Sequence, residues 1–244
     1  MSRLFINAEN RRGRTVITKS EFTSPLKIAR PFYRDKYTEI MMMSASAGML
    51  DGDRYDVEIA VGEYAALKFS EQSYGKIFKA DKIGVQKSVR INVGKNGSLL
   101  YFPMPVIPFE GSIFKNVSEI RLDENSRFVM CDILTCGRAA MNESFAFGSY
   151  KSRTAVYAAD KLVFLDNQQL IPKLADFGGI GFFDGHTHIG TVYAYGLPNV
   201  ELPENDKLEA AKTKAHSGIC IRILADSADD ILNYINQMNF EGGL

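Results

Sequence analysis

The sequence predicts a mainly β protein, a β-helix-like stack of strands with two α-helices near the carboxyl end. One phrase, an alternating strand, a four-residue polar turn and a second alternating strand, occurs three times. The copies are VEIAVGEYAALKF from Val57, VRINVGKNGSLLYF from Val89 and SEIRLDENSRFVM from Ser118. They align position for position: Ile59, Ile91 and Ile120 match, Gly62, Gly94 and Asp123 open the turns, and Leu67, Leu99 and Phe128 restart the apolar face. Period-two alternation marks half-buried strands, and recurrence at roughly 30 residues marks units that cover one another's apolar sides. Beyond residue 200 the composition shifts toward helix formers.

In chain order, the first expected strand is residues 14–22, after which Pro25 and Pro31 interrupt regular structure and residues 37–43 begin another strand. Met41, Met42 and Met43 alternate faces on such a strand and so cannot converge on a soft metal; packing is their expected role. Residues 44–53 (SASAGMLDGD) concentrate turn formers, without the ligand spacing of a calcium loop. After the repeats, residues 154–167 read as a hairpin turning at Asp160-Lys161. Residues 203–215 (PENDKLEAAKTKA) read as a helix, ended by Gly218 before a strand at 219–224. Ser227 is placed as the N-cap of a closing helix over residues 227–240, with Asp229 and Asp230 in its first turn and Ile231, Leu232, Ile235 and Met238 on one face.

A chain of 244 residues that is 45% hydrophobic can bury a full core, and residues 1–244 are expected to form a single domain. Lys plus Arg equals Asp plus Glu at 29 each, which argues against a nucleic-acid partner. Three cysteines without a pairing pattern, an amino terminus without a signal-like apolar core and no membrane-length apolar run predict a cytoplasmic, reduced and soluble protein with no membrane partner.

Catalytic motifs are scarce. There is no phosphate-binding loop, and Ser149 lacks the setting of a nucleophile elbow. His186 and His188, two apart in DGHTH, would share one face of a strand and form a borderline-metal pair, the start of a metal-dependent hydrolase site that needs further ligands. The competing reading is two histidines bonded to a turn. Cys131 and Cys136 fall on opposite faces of a strand and do not suit zinc. A β-solenoid saccharide-binding module would need an aromatic stripe, which Phe69, Tyr101 and Met130 supply only in part.

Several phrases taken together resemble a known family: SPLKIARPFY, SASAGMLDGD, EQSYGKIFK, PMPVIPFEGSIF, DILTCGRAAMNESFAFG and FFDGHTH. In this order, spanning nearly the entire chain, they resemble the urease accessory protein UreD, with wording closer to the UreH-like branch. The resemblance implies a non-enzymatic urease maturation scaffold with no cofactor of its own. It would bind a UreF-like protein, through which it is dimeric in the complex, recruit a UreG-like GTPase that binds the GTP, dock on apo-urease and pass nickel through an internal channel. On that reading Asp132, Glu143, His186 and His188 are candidates for a transient nickel route. The prolines Pro103, Pro105 and Pro108 with Phe109 offer a preformed docking edge. Arg138 stands near it, and Ile231, Ile235 and Met238 of the closing helix offer a groove for the partner. Arg138 and Glu143, five apart, also read as an ion pair bracketing a turn.

Overall fold

The computed structural model describes residues 1–197, 200–216 and 218–243. Its strands are β1 (Ser2–Arg11), β2 (Arg14–Phe22), β3 (Leu26–Ile28), β4 (Phe32–Tyr33), β5 (Thr38–Ser44), β6 (Arg54–Val61), β7 (Ala66–Glu71), β8 (Gly75–Ile77), β9 (Val85–Val93), β10 (Ser98–Phe102), β11 (Val106–Pro108), β12 (Ile113–Leu122), β13 (Arg127–Thr135), β14 (Ser149–Ala158), β15 (Lys161–Leu170), β16 (His188–Tyr195), β17 (Leu208–Ala215) and β18 (Gly218–Ala225). One α-helix, α1 (Ala228–Gln237), follows.

The chain winds between two sheets. The first has the order β15-β14-β12-β9-β6-β1-β2 and the second β17-β18-β16-β13-β10-β7-β5-β3. Each repeat gives one strand to each sheet, and the strands of successive repeats lie parallel. The alignment read from the sequence is the observed register: Ile59 faces Ile91 and Ile91 faces Ile120 in the first sheet, while Leu67, Leu99 and Phe128 pair across the second. The turns stack as well, Gly94 N donating to Val61 O at 2.8 Å and Asp123 N to Val93 O at 2.9 Å. Tyr64, Asn96 and Asn125, one per turn, each take a positive φ near 55°. At Gly97 a Cβ would lie 2.9 Å from the carbonyl oxygens of both Gly62 and Gly94, so the stacking of these turns demands glycine there. Antiparallel strands close the stack at both ends: β2 and β3 at one, β15 and the trio β16, β17, β18 at the other.

Two apolar cores result. The first fills the space between the sheets with rows such as Ile59, Ile91, Ile120 and Leu67, Leu99, Phe128. The second lies on the outer face of the second sheet, where Val129, Cys131, Ile133, Val192, Ile221 and Ile223 pack under Ile231, Tyr234 and Ile235 of α1. Strand β13 feeds both, sending Phe128, Met130 and Leu134 inward and Val129, Cys131 and Ile133 outward, which is why it reads as nearly continuous apolar sequence. Cys136, beyond the strand's end, packs in the first core, opposite Cys131. The closing helix begins as expected, with the Ser227 side chain accepting from Asp229 N at 3.2 Å.

Three expectations are corrected. Strand β1 precedes the first strand anticipated and lies parallel to β6 within the first sheet. The segment 203–215 holds no helix; its Leu208–Ala215 part is β17, paired along its whole length with β18. Its Lys212 and Lys214 are exposed on a sheet edge, where lysine deters pairing with other chains. The described residues therefore contain one α-helix instead of two, with short 3-10 turns at Ala139–Met141 and Phe240–Gly243. Gly218 opens strand β18 instead of ending a helix.

Candidate functional site

A polar seam crosses the first core along the axis of the stack. On the second sheet the inward row Phe69, Tyr101, Met130 is apolar, but two residues further on the same phase reaches Glu71 and Asp132. Asp132 pairs with Thr191, and Thr191 with Arg222. Facing them on the first sheet, Lys87 pairs with Asn116 and Asn116 with Ser152, while Asp166 lies opposite Thr154. Lys87 Nζ donates to Glu71 Oε1 at 3.2 Å, joining the sheets at one end of the seam. Arg222 makes a two-pronged contact with Asp166 at 2.9 and 3.1 Å, and also donates to the Thr191 hydroxyl, joining the sheets at the other. Paired, hydrogen-bonded charges are the form in which ions tolerate burial.

Between these ion pairs is a chamber of about 30 Å³, bordered by Lys87, Asn116, Ser118, Asp132, Tyr150 and Thr154 among others. The Asn116 Oδ1 is buried without a hydrogen-bond partner. Burial pushes the Asp132 carboxyl up to about 6; nearby Asp166 pushes the same way, against the pull of Lys87 and Arg222. Burial works to lower the Lys87 ammonium, but Glu71, Tyr101 and Asp132 outweigh it and raise it. The seam holds three carboxylates against two cations, and Asp132 is the member facing the chamber without an ion pair of its own.

The other candidate nickel residues lie elsewhere, in a loop cluster at the ends of β13 and β16. Only His188 is on a strand; His186 precedes it in the turn, so the two rings do not form the strand-face pair expected. His186 Nδ1 lies 3.3 Å from Asp226 Oδ1, and His188 Nδ1 is 2.7 Å from the Thr187 hydroxyl. Burial lowers the His188 imidazole, against the pull of Asp226 and Asp229. Glu143 bonds Arg138 and accepts from Glu110 N, clamping the 3-10 turn between them, and Arg138 stacks over Phe109 with its guanidinium carbon 4.3 Å from the ring centroid. That is the ion pair bracketing a turn, and Glu143 does not border the chamber of the seam. Among the described residues no three His, Cys, Asp or Glu side chains gather as a metal-holding group, so the hydrolase reading gains no third ligand. The row Phe69, Tyr101, Met130 is interior, with Phe69 and Tyr101 stacked at 5.3 Å, and offers no stripe to a saccharide.

The expected docking residues are also redistributed. Ile231 and Ile235 are buried in the second core and present nothing to a partner, while Met238 is half-buried beside them. Pro105 and Pro108 are buried, because Val106–Pro108 is a strand held between β8 and β13 instead of a free edge. Pro103 borders the chamber, and Phe109 is half-covered, edge-on to Phe78 at 5.0 Å. Glu71, Lys87, Asp166 and Arg222 were not anticipated. Their signal is phase: Lys87 stands two before Val89, and Glu71 two after Phe69, on the inward side of aligned repeat strands where apolar residues are expected.

A sequence model of the family described as UreD urease accessory protein matches residues 1–240. The chain is 36% identical over 242 residues to the urease accessory protein UreD of Acetivibrio thermocellus, covering 93% of this chain and 92% of that one. It is 32% identical over 230 residues to the urease accessory protein UreH of Helicobacter pylori strain P12, covering 91% and 86%, and 34% identical over 227 residues to UreH of Helicobacter hepaticus, covering 91% and 90%.

Proposed function

The chain belongs to the UreD family of urease accessory proteins, and from that premise we propose that it is a non-enzymatic scaffold that helps deliver nickel to apo-urease. The observation that carries this reading is the family match over residues 1–240, reinforced by relatives similar along nearly their full length. In this scheme the chain works within an assembly containing a UreF-like protein, through which it is dimeric, and a UreG-like protein that binds and hydrolyses GTP. The assembly acts in the cytoplasm and docks on apo-urease. Nickel is cargo, not a resident cofactor.

Within this chain the polar seam is the part suited to the cargo. Oxygen donors in series bind a divalent ion weakly enough to release it, whereas a closed nitrogen and sulfur cage would retain it. Asp132 is the one of the four candidate route residues that borders the chamber. His186, His188 and Glu143 sit in the loop cluster, where the contacts of His188 with Thr187 and of Glu143 with Arg138 and Glu110 N suit a structural role and His186 Nδ1 lies near Asp226.

The test is complementation. Cells carrying a urease operon with the corresponding accessory gene deleted should regain urease activity and urease-bound nickel when this chain is supplied, and the chain should co-purify with the UreF-like and UreG-like proteins. Urease that stays nickel-free while the chain is expressed and folded would overturn the maturation role. Asp132→Ala should lower nickel in urease without weakening co-purification.

A further inference from the structure

A second cavity, the mouth, lies beside the chamber. It has a volume of about 160 Å³ on the side of β5 and β7, and its wall includes Met42, Ser44, Tyr55, Glu71 and Lys87. Lys87 borders both this mouth and the chamber, and Glu71 Oε2 accepts from the N–H of Met104, which borders the chamber. Lys87 is therefore a wall that the two cavities share, and Glu71 holds it from the side of the mouth. Both side chains are well covered, Lys87 at 14% exposure and Glu71 at 9%. A chamber of about 30 Å³ has room for one or two waters or for one small ion.

We propose that the Lys87–Glu71 pair is a gate, and that a divalent cation passes from mouth to chamber by taking over Glu71 from the Lys87 ammonium. This deepens, and rests on, the reading of the seam as a cargo route. The exchange is one of charge for charge: no bond forms or breaks beyond the contacts to Glu71, and the displaced ammonium swings on its flexible stem toward the mouth. Lys87 acts as the seam's internal counter-cation. While it holds Glu71, the three carboxylates face two cations and the seam attracts a further cation only weakly. Once Lys87 swings away, or is replaced by a neutral side chain, two carboxylates lack a counter-charge and the attraction rises.

The experiment uses the full chain, purified with its partner where that is needed for solubility, and nickel(II) chloride as probe in a buffer that does not chelate. Calorimetry or equilibrium dialysis should find Lys87→Met binding nickel at least tenfold tighter than the unaltered chain. Lys87→Arg, which keeps the charge, should bind no tighter than the unaltered chain, and Lys87→Met combined with Glu71→Gln should lose the gain. Equal affinity in Lys87→Met and the unaltered chain, or a gain that survives Glu71→Gln, overturns the gate. Should Lys87→Met lose its β-type circular dichroism, Lys87→Gln is read in its place against the same criterion. Because the readout is metal binding without urease, it stands apart from the maturation reading, which fails instead if urease is not activated.

Discussion

The two faces of the second sheet are built from the same strands and do opposite things. Outward, Val129, Cys131, Ile133, Val192, Ile221 and Ile223 are uniformly apolar and are covered by α1. Inward, the rows begin apolar and then admit Glu71, Asp132, Thr191 and Arg222. An apolar face sealed by a helix is explained in full by the stability it confers. Buried charges give less stability than apolar residues of similar size, so a row of them points to a use beyond holding the fold. The contrast teaches where to look for function: in the core that departs from the cheapest packing.

The sharpest way to test the contrast is to damage the sealed face. Ile231→Ala removes a fully buried side chain of α1 and should lower stability by about 2–5 kcal/mol in urea unfolding, with little effect on nickel affinity. A loss below about 1 kcal/mol would mean that the helix is not an integral cover.

Asp132 should behave in the reverse manner. Its carboxyl is raised from 3.8 to about 6 by burial and by Asp166, so the folded state holds its proton more firmly than the unfolded chain does. The stability linked to that proton is complete below about pH 4 and is lost as pH rises toward and through 6. A rise of that size amounts to ~3 kcal/mol at neutral pH. Asp132→Asn should therefore be more stable than the unaltered chain at pH 7 by up to about that amount, and the advantage should vanish near pH 4. Thermal melts across pH 4–8 measure it; equal stability at pH 7 would place Asp132 in a wetter setting than its burial implies.

A smaller effect is expected at the far ion pair. Arg222→Met strands Asp166, whose side chain is 16% exposed, but the 41% exposure of Arg222 lets water compensate in part, so ~1–3 kcal/mol should be lost. Restoration by Asp166→Leu in the same chain would mark the pair as replaceable by apolar packing. The smallest effect belongs to the solvent side of the first sheet, where Arg90 and Glu58 lie 3.5 Å apart and largely exposed. Glu58→Gln should change stability by no more than about 0.5 kcal/mol, an amount that 1 M salt abolishes.

The stack was legible in the sequence because its physics is local and periodic. Aligning Ile59 with Ile91 and Ile120 is the same act as pairing them, since identical units stacked in parallel meet at identical positions. Residues 208–215 misled for the converse reason: Ala, Lys and Glu favour a helix in isolation, and only pairing with β18, which lies in the next segment of chain, makes them a strand. Strand β1 escaped notice because SRLFINAENR mixes polar residues into the alternation that faces solvent and turn. Asp132 entered through the family resemblance, as a candidate on a nickel route. Its companions did not enter that way: Lys87 and Glu71 carry a signal only in their phase on the repeat strands, and Arg222 meets Asp166 only when the register of the assembled sheets brings them together. The burial of Pro105, Pro108 and Ile231 was not legible because an apolar residue looks the same in sequence whether a partner or the chain itself covers it.

The parallel stack with antiparallel ends also makes the seam a ruler. Its length is counted in rungs, each one strand spacing of about 4.7–4.9 Å, and each extra copy of the repeated phrase would add one rung. The end strands fix the count by refusing a further parallel neighbour. A relative carrying one more repeat would thus span one more rung between mouth and far ion pair, with the chemistry at either end unchanged.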